Sequence, residues 1–217
     1  MKETDIRKIK RALEKSLDEK RYEHTLGVAY TAASLAMRYV PIQDEDALIE
    51  KAYLAGLLHD CGKSIDADKR IAFCEKYNIM ISECERSNPS LLHAKVGGFL
   101  AMDTFKVHDS EVINAILNHT TGRPAMSMLE KIVYVADYIE PGRDKAPNLS
   151  TIRKQAFTDI DAALLHILED TLDYTSKTER IIDSKTQMTY DFYKALWEEQ
   201  RGEEAFLETE REVLQNG

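Results

Sequence analysis

Apolar positions recur along this chain at helical spacing, and nowhere alternate for long as a half-buried strand would. Ile6, Ile9, Leu13 and Leu17 form one stripe behind Thr4, a candidate cap, and predict a first helix. Leu26, Ala29, Ala33, Leu35, Ala36 and Met37 predict a second from about Lys20 to Val40, stopped by Pro41. A third runs from about Asp44 to Leu58, with Gly62 suited to a left-handed residue at its terminus. Shorter helices are expected over Asp66–Tyr77 and from Leu91 to about Met102, with buried segments at Val112–Leu117 and Met128–Ile139. Pro141-Gly142 closes the last of these. Further helices are expected near Thr151–Phe157, over Asp159–Leu172, and from Thr186, as a cap, through Trp197. Gly202 is expected to separate an acidic terminal helix from the body. The pattern is all-α: one helical domain over residues 1–195, then an acidic helical tail over 196–217.

Composition narrows the class. The chain has 217 residues, 43% of them apolar, enough for one full core. No apolar run approaches the roughly 18 residues of a membrane span. The start, Met1-Lys2-Glu3-Thr4-Asp5, is charged and has no apolar signal core. A cytoplasmic protein with no membrane partner is expected. The cysteines are Cys61, Cys74 and Cys84, an odd number without a Cys-x-x-Cys pair. Neither a disulfide framework nor a thiolate zinc site is indicated. Cys61 has no dedicated base beside it, so it reads as a small packed residue rather than a nucleophile. The net charge of −9 argues against nucleic-acid binding but leaves a small anionic substrate open. Seven Glu and two Arg after Lys194 supply most of the acidic surplus.

The candidate chemistry lies in His24, the pair His59-Asp60, His93, His119 and Asp137. The chain has six histidines, and four fall in this order. His59-Asp60 ends the apolar run Ala52–Leu58, and Asp137 lies within the apolar run Ile132–Ile139. A carboxylate in such a place is costly to desolvate unless it is paired, hydrogen-bonded or metal-bound. Taken singly, each is compatible with an ordinary buried cap or a satisfied core histidine. Taken together, imidazoles and carboxylates at the edges of separate apolar helices are the donor set of a site for iron, manganese or a similar ion. His108, in a polar stretch, and His166, on an amphipathic helix, lack that context and read as structural or solvent-facing.

Five segments extend the pattern: Arg21-Tyr22-Glu23-His24-Thr25, Leu58-His59-Asp60-Cys61-Gly62-Lys63, Leu92-His93-Ala94-Lys95, Asn118-His119-Thr120-Thr121-Gly122, and Asp137-Tyr138-Ile139-Glu140-Pro141-Gly142-Arg143. With them, residues 5–190 resemble the HD-domain metallophosphohydrolases, and within these the YqeK family of symmetrical diadenosine tetraphosphate hydrolases. The resemblance implies an HD-domain helical bundle with its metal site in the core. It implies one metal on His24, His59, Asp60 and Asp137, with Asp60 bridging to a second on His93 and His119. Iron is the metal implied, with manganese, cobalt or magnesium as alternatives and with one or two ions bound. The tail beyond Trp197 exceeds the pattern, so nothing carries over to it.

The expected chemistry follows. Two cations sharing Asp60 would activate a water that cleaves diadenosine tetraphosphate into two ADP. Asp60 and Lys63 are the expected catalytic residues. Lys63, His93, Thr120 and Arg143 are expected to meet phosphate, Arg143 through its planar fork. Arg21 is expected to hold either Glu140 or a phosphate. The stretch Arg180–Thr186 resembles the base-binding segment, Ile182 packing on the base and Thr186 reading its edge. Two other readings stand beside this one: hydrolysis of another nucleotide, such as a deoxynucleoside monophosphate or guanosine tetraphosphate, and a non-catalytic nucleotide sensor. The expected partner is a small nucleotide rather than nucleic acid, with a homodimer possible.

Overall fold

Eleven α-helices and no strand make up the described residues. The computed structural model describes the backbone of residues 3–39, 41, 45–178 and 181–215, and the side chains of 5–39, 41, 46–178 and 181–201. The order is α1 (Glu3–Ser16), α2 (Glu19–Tyr39), α3 (Glu45–Leu58), α4 (Ala67–Lys76), α5 (Glu83–Ser87), α6 (His93–Asp103), α7 (Ser110–Asn118), α8 (Met128–Ile139), α9 (Leu149–Thr158), α10 (Ile160–Lys177) and α11 (Ser184–Gln215). Tight 3-10 turns at Cys61–Ser64 and Pro89–Leu92 link α3 to α4 and α5 to α6.

Local chemistry sets many of the boundaries. Ser127 and Glu130 close a reciprocal capping box at the start of α8, and Ser82 with Glu85 does the same for α5. Asp109 and Asp159 accept backbone N–H groups at the starts of α7 and α10. Glu130 does more than cap. It also takes Arg123 in a two-point pair at 2.7 and 2.6 Å and the Asn118 amide at 2.8 Å, while almost fully buried.

The core forms where α2 packs on α3 and α8, and where α7 packs on α3, α6 and α8. Leu35, Leu57, Leu58, Ile116, Leu129 and Ile132 are fully buried there. Each such side chain contributes about 1.5–3 kcal/mol of burial energy. The paired helices α9 and α10 cover one side of α8, and α11 lies on α10. A smaller cluster of Cys74, Leu92 and Val96 joins α4 to α6.

Several boundaries differ from those read in the sequence. Thr4 lies inside α1 rather than capping it. α5 falls where no helix is expected from the apolar pattern, and α10 continues past Leu172 to Lys177. At the start of α11 it is Asp183, not Thr186, whose carboxylate takes a backbone N–H (Lys185, 2.8 Å). The α11 backbone passes Gly202 without a break, and Leu196 and Trp197 pack against the core. The expected bounds at Val40 and Asp44 lie outside the described residues.

Gly62 is also corrected. Among the described glycines only Gly122 has a positive φ, so Gly62 is no left-handed terminus. A methyl group on Gly62 would instead lie 2.1 Å from the His93 carbonyl oxygen and 2.6 Å from Gly97 N. The glycine lets the turn after α3 press backbone to backbone against α6.

Candidate metal centre

Five elements deliver the six candidate ligands. His24 comes from α2, His59 and Asp60 from the turn after α3, His93 from the first residue of α6, His119 from the residue after α7, and Asp137 from the last turn of α8. All six converge. Their donor atoms fall into three overlapping groups, His24–His59–Asp60, His59–His119–Asp137 and Asp60–His93–His119, each within 4.8 Å.

The rings are aimed locally. The Nδ1 of His59 faces Gly56 O at 2.7 Å, that of His93 faces Ser90 O at 2.6 Å, and that of His119 faces Ile116 O at 2.7 Å. Gly56 and Ile116 lie in the last turns of α3 and α7, where carbonyls lack a helical partner. A carbonyl only accepts, so each Nδ1 carries the proton and each Nε2 presents a lone pair. His24 reaches the same state by another route: its Nδ1 donates to Glu140 Oε1 at 3.1 Å. Gly142 N donates to the other oxygen of Glu140 at 2.6 Å, and Gly27 makes the room, since a Cβ there would stand 2.5 Å from that oxygen. Arg153 secures the loop beneath by donating to the carbonyls of Ile139, Glu140 and Arg143.

The lone pairs then meet. His93 Nε2 and His119 Nε2 are 3.0 Å apart, with Thr120 Oγ1 3.1 Å from each. One hydroxyl proton satisfies one ring nitrogen, and the other needs a cation. Three further buried donors, His24 Nε2, His59 Nε2 and Asp60 Oδ1, have no hydrogen-bond partner. His24 Nε2 does lie 3.0 Å from Asp137 Oδ1, but without hydrogen-bond alignment. Buried polar atoms are rarely left this way, and a mixed imidazole and carboxylate set fits a divalent cation.

Asp60 faces both ways. Its Oδ1 lies 3.4 Å from His93 Nε2 and 3.6 Å from His119 Nε2. Its Oδ2 lies 3.4 Å from His59 Nε2 and 3.7 Å from His24 Nε2. Arg21 and Lys63 also hold Oδ2, at 2.9 and 2.8 Å. Burial alone would raise the Asp60 pKa, but its surroundings, the His59 and His119 imidazoles and the Lys63 ammonium, hold it well below the carboxylate range. Asp137 follows suit: burial opposes ionisation, and His24, His59 and Arg143 overcome it. Burial, reinforced by His119 and Lys63, pushes His93 down to about 3. Ionised carboxylates and a neutral imidazole are the states a cation requires.

The remaining expected site residues divide. Lys63 and Thr120 are in the cluster. Arg143 is there too, but its guanidinium is committed to Asp137, donating from Nη2 to Oδ1 at 2.7 Å and from Nε to the backbone carbonyl at 3.0 Å. Arg21 takes neither expected partner and holds Asp60. Ile182 is exposed and Thr186 buried, and neither has a hydrogen bond to the cluster among the described residues. Arg180 lies outside the described residues. Cys61 is buried with its Sγ on Gly97 O, and burial raises its thiol pKa, so it is no nucleophile. His108 is exposed, and His166 pairs with Gln155. Glu140 is a ligand-orienting group that the sequence reading does not assign, although its position one helical turn after Asp137 is visible there.

Two cavities open on the ligands. A groove of about 530 Å³ is lined by Lys20, Arg21, His24, Arg143 and Lys145 among others. A smaller cavity of about 180 Å³ includes His119, Thr120, Tyr134, Asp137 and Arg143.

The HD-domain family model matches residues 21–142, a span that holds all six candidate ligands. The chain is 37% identical to the symmetrical bis(5'-nucleosyl)-tetraphosphatase of Bacillus subtilis, over 83% of this chain and 92% of that protein. It is 38% identical to the protein so named in Halalkalibacterium halodurans, over 81% and 89% of the two chains. For the one in Staphylococcus aureus the identity is 34%, over 87% and 94%. Among solved structures, an HD superfamily hydrolase from Clostridium acetobutylicum, described as involved in NAD metabolism, superposes with a TM-score of 0.81 at 39% identity, covering 88% of this chain and 97% of that one.

Proposed function

This chain belongs to the HD-domain hydrolases, in the YqeK family of symmetrical bis(5'-nucleosyl)-tetraphosphatases, and from that membership we propose that it hydrolyses diadenosine tetraphosphate to two ADP. The observation that carries the reading is Asp60, whose two oxygens face two separate sets of imidazoles within one buried cluster. His24, His59, Asp137 and Asp60 would hold one divalent cation, and Asp60, His93 and His119 a second. We propose iron, since imidazole with carboxylate suits it, with manganese as the nearest substitute. When bound, such ions withdraw charge from phosphoryl oxygens and ready a water for attack.

The chain's own residues prepare the rest. Arg21 and Lys63 keep Asp60 ionised and oriented, and Arg143 does so for Asp137. Thr120 sets its hydroxyl between the His93 and His119 ring nitrogens, where it would meet a phosphate oxygen bound at the cluster. The larger groove carries Lys20 and Lys145 beside the paired Arg21 and Arg143, against Asp18, Glu140 and Asp144, so a tetraphosphate chain there would be met chiefly by the two lysines. In the reaction, the water oxygen bonds to a phosphorus beside the central bridge. The bond from that phosphorus to the bridging oxygen breaks, and the bridging oxygen leaves on the second ADP. Ile182 and Thr186 remain our candidates for base contacts, by family likeness. A small nucleotide is the partner this site fits, and no helix among the described residues is long and apolar enough to cross a membrane.

The test is a panel of diadenosine tetraphosphate, deoxynucleoside monophosphates and guanosine tetraphosphate with iron or manganese added, run on the wild type and Asp60→Ala. Two ADP per substrate are expected from the wild type. Metal retention and turnover are expected to vanish together in the variant. Cleavage of another nucleotide with diadenosine tetraphosphate untouched would overturn the substrate, and an active Asp60→Ala would overturn the site.

A further inference from the structure

Arg70, on α4, is 6% exposed. A guanidinium buried to that degree ordinarily faces a carboxylate. Among the described residues Arg70 has none within ion-pair distance. It donates from Nε to Ile65 O at 2.9 Å and from Nη1 to Ser90 O at 3.3 Å, both neutral carbonyls. The group has five donors, so three have no protein acceptor among the described residues. The Ser90 carbonyl is shared, because it also takes His93 Nδ1 at 2.6 Å. One carbonyl oxygen therefore separates the Arg70 guanidinium from a metal-ligand imidazole.

The neighbouring cations differ from it. Arg21 and Lys63 are spent on Asp60, and Arg143 on Asp137. Burial lowers the Arg70 pKa, the Asp60 and Asp66 carboxylates oppose that, and Arg21 adds to it. Arg70 is thus a buried positive charge beside His93, linked to it through the shared Ser90 carbonyl. Its stem is held by two carbonyls, and its remaining donors suit an incoming anion with several oxygens.

We propose that Arg70 is an anion-binding residue of this site, taking phosphate oxygens of the substrate on the His93 side of the ligand cluster. The proposal rests on the reading of the site as a polyphosphate hydrolase and adds a contact to it. A tetraphosphate chain bound at the cluster would then meet Arg70 beside His93, a cation not already paired with a carboxylate.

The competing role is a strut, in which Arg70 only ties the turn at Ile65 to Ser90. Metal-loaded full-length wild type, Arg70→Lys and Arg70→Met separate the two. Titration calorimetry measures the affinity of ADP and of inorganic tripolyphosphate, beside metal content and thermal midpoint. The expected result is a loss of roughly 10- to 100-fold in tripolyphosphate affinity for Arg70→Met, and about threefold to fivefold for Arg70→Lys, whose point charge replaces the fork, with metal content unchanged. Tripolyphosphate affinity within about twofold of wild type in Arg70→Met, or falling only in step with lost metal, overturns the proposal. If Arg70→Met does not fold, Arg70→Lys decides, and an unchanged affinity there overturns it equally. Neither probe is diadenosine tetraphosphate, so a wild type that spares that substrate but cleaves another nucleotide sinks the substrate reading and leaves this test standing.

Discussion

Replacing Glu140 by glutamine changes one atom, yet it should loosen the metal. The carboxylate uses both oxygens as acceptors, one for His24 Nδ1 at 3.1 Å and one for Gly142 N at 2.6 Å. An amide has a single acceptor, so Glu140→Gln keeps one of these bonds and turns an NH2 group towards the other donor. If the Gly142 bond survives, His24 loses the group that holds its proton on Nδ1. If the His24 bond survives, the loop carrying Arg143 loses its anchor. A hydrogen bond to a charged group contributes about 1.5–3 kcal/mol, and each 1.4 kcal/mol is tenfold in an equilibrium constant. Loss of such an outer partner of a metal ligand commonly costs roughly 10- to 100-fold in affinity. The assay is chelator competition against the iron- or manganese-loaded protein, with His108→Ala, exposed and remote in role, as the silent control. A metal dissociation constant within about twofold of wild type, alongside a lowered thermal midpoint, would show that Glu140 merely staples its loop.

Gly62→Ala is expected to displace the start of α6, because its Cβ would meet the His93 carbonyl oxygen at 2.1 Å. We expect about 3 kcal/mol or more of destabilisation and loss of the His93–His119 half of the site, read by calorimetric unfolding and metal stoichiometry. Normal stability and full metal content would refute the close contact. Glu130→Ala removes a buried acceptor of four donors and should cost about 2–3 kcal/mol, the partial exposure of Arg123 reducing the loss, or roughly 4–12 °C in thermal midpoint. Burial opposes the ionisation of Glu130, but Arg123 and the Ser127 N–H hold its pKa below the ordinary glutamate value. Its contribution is therefore complete above that ordinary value and lost as pH falls through the lower folded one. The gap in thermal midpoint between wild type and variant should narrow as pH drops below about 4, and a constant gap would contradict the assignment.

The helices and the convergence of the candidate ligands were legible for one reason. Apolar stripes at helical spacing ran up to His59-Asp60, His119 and Asp137, and charges at the edge of such stripes demand an explanation. Contacts between distant segments were not legible. Gly62 has the local context of a helix terminus, and only the approach of α6 shows why it must lack a side chain. Arg21 and Arg143 were seen as cations near the site, but spacing along a chain does not show which carboxylate each will take. Arg70 stands among ordinary charged neighbours, Asp68 and Lys69, and nothing local marks it as the buried one. The start of α5 was readable, since Ser82 and Glu85 have the spacing of a capping box. The end of the body was not, because Leu196 and Trp197 sit on a helix whose charge pattern reads as a solvated tail.

Three of the four candidate ligand histidines are steered by a carbonyl only three residues back in their own segment. Each is therefore oriented as soon as its own turn of helix forms, before α3, α6 and α7 find one another. Assembly has only to bring finished pieces into register. A chain built this way should offer a ready-shaped socket to whatever ion reaches it first, leaving the choice of metal to supply rather than to slow rearrangement of the protein.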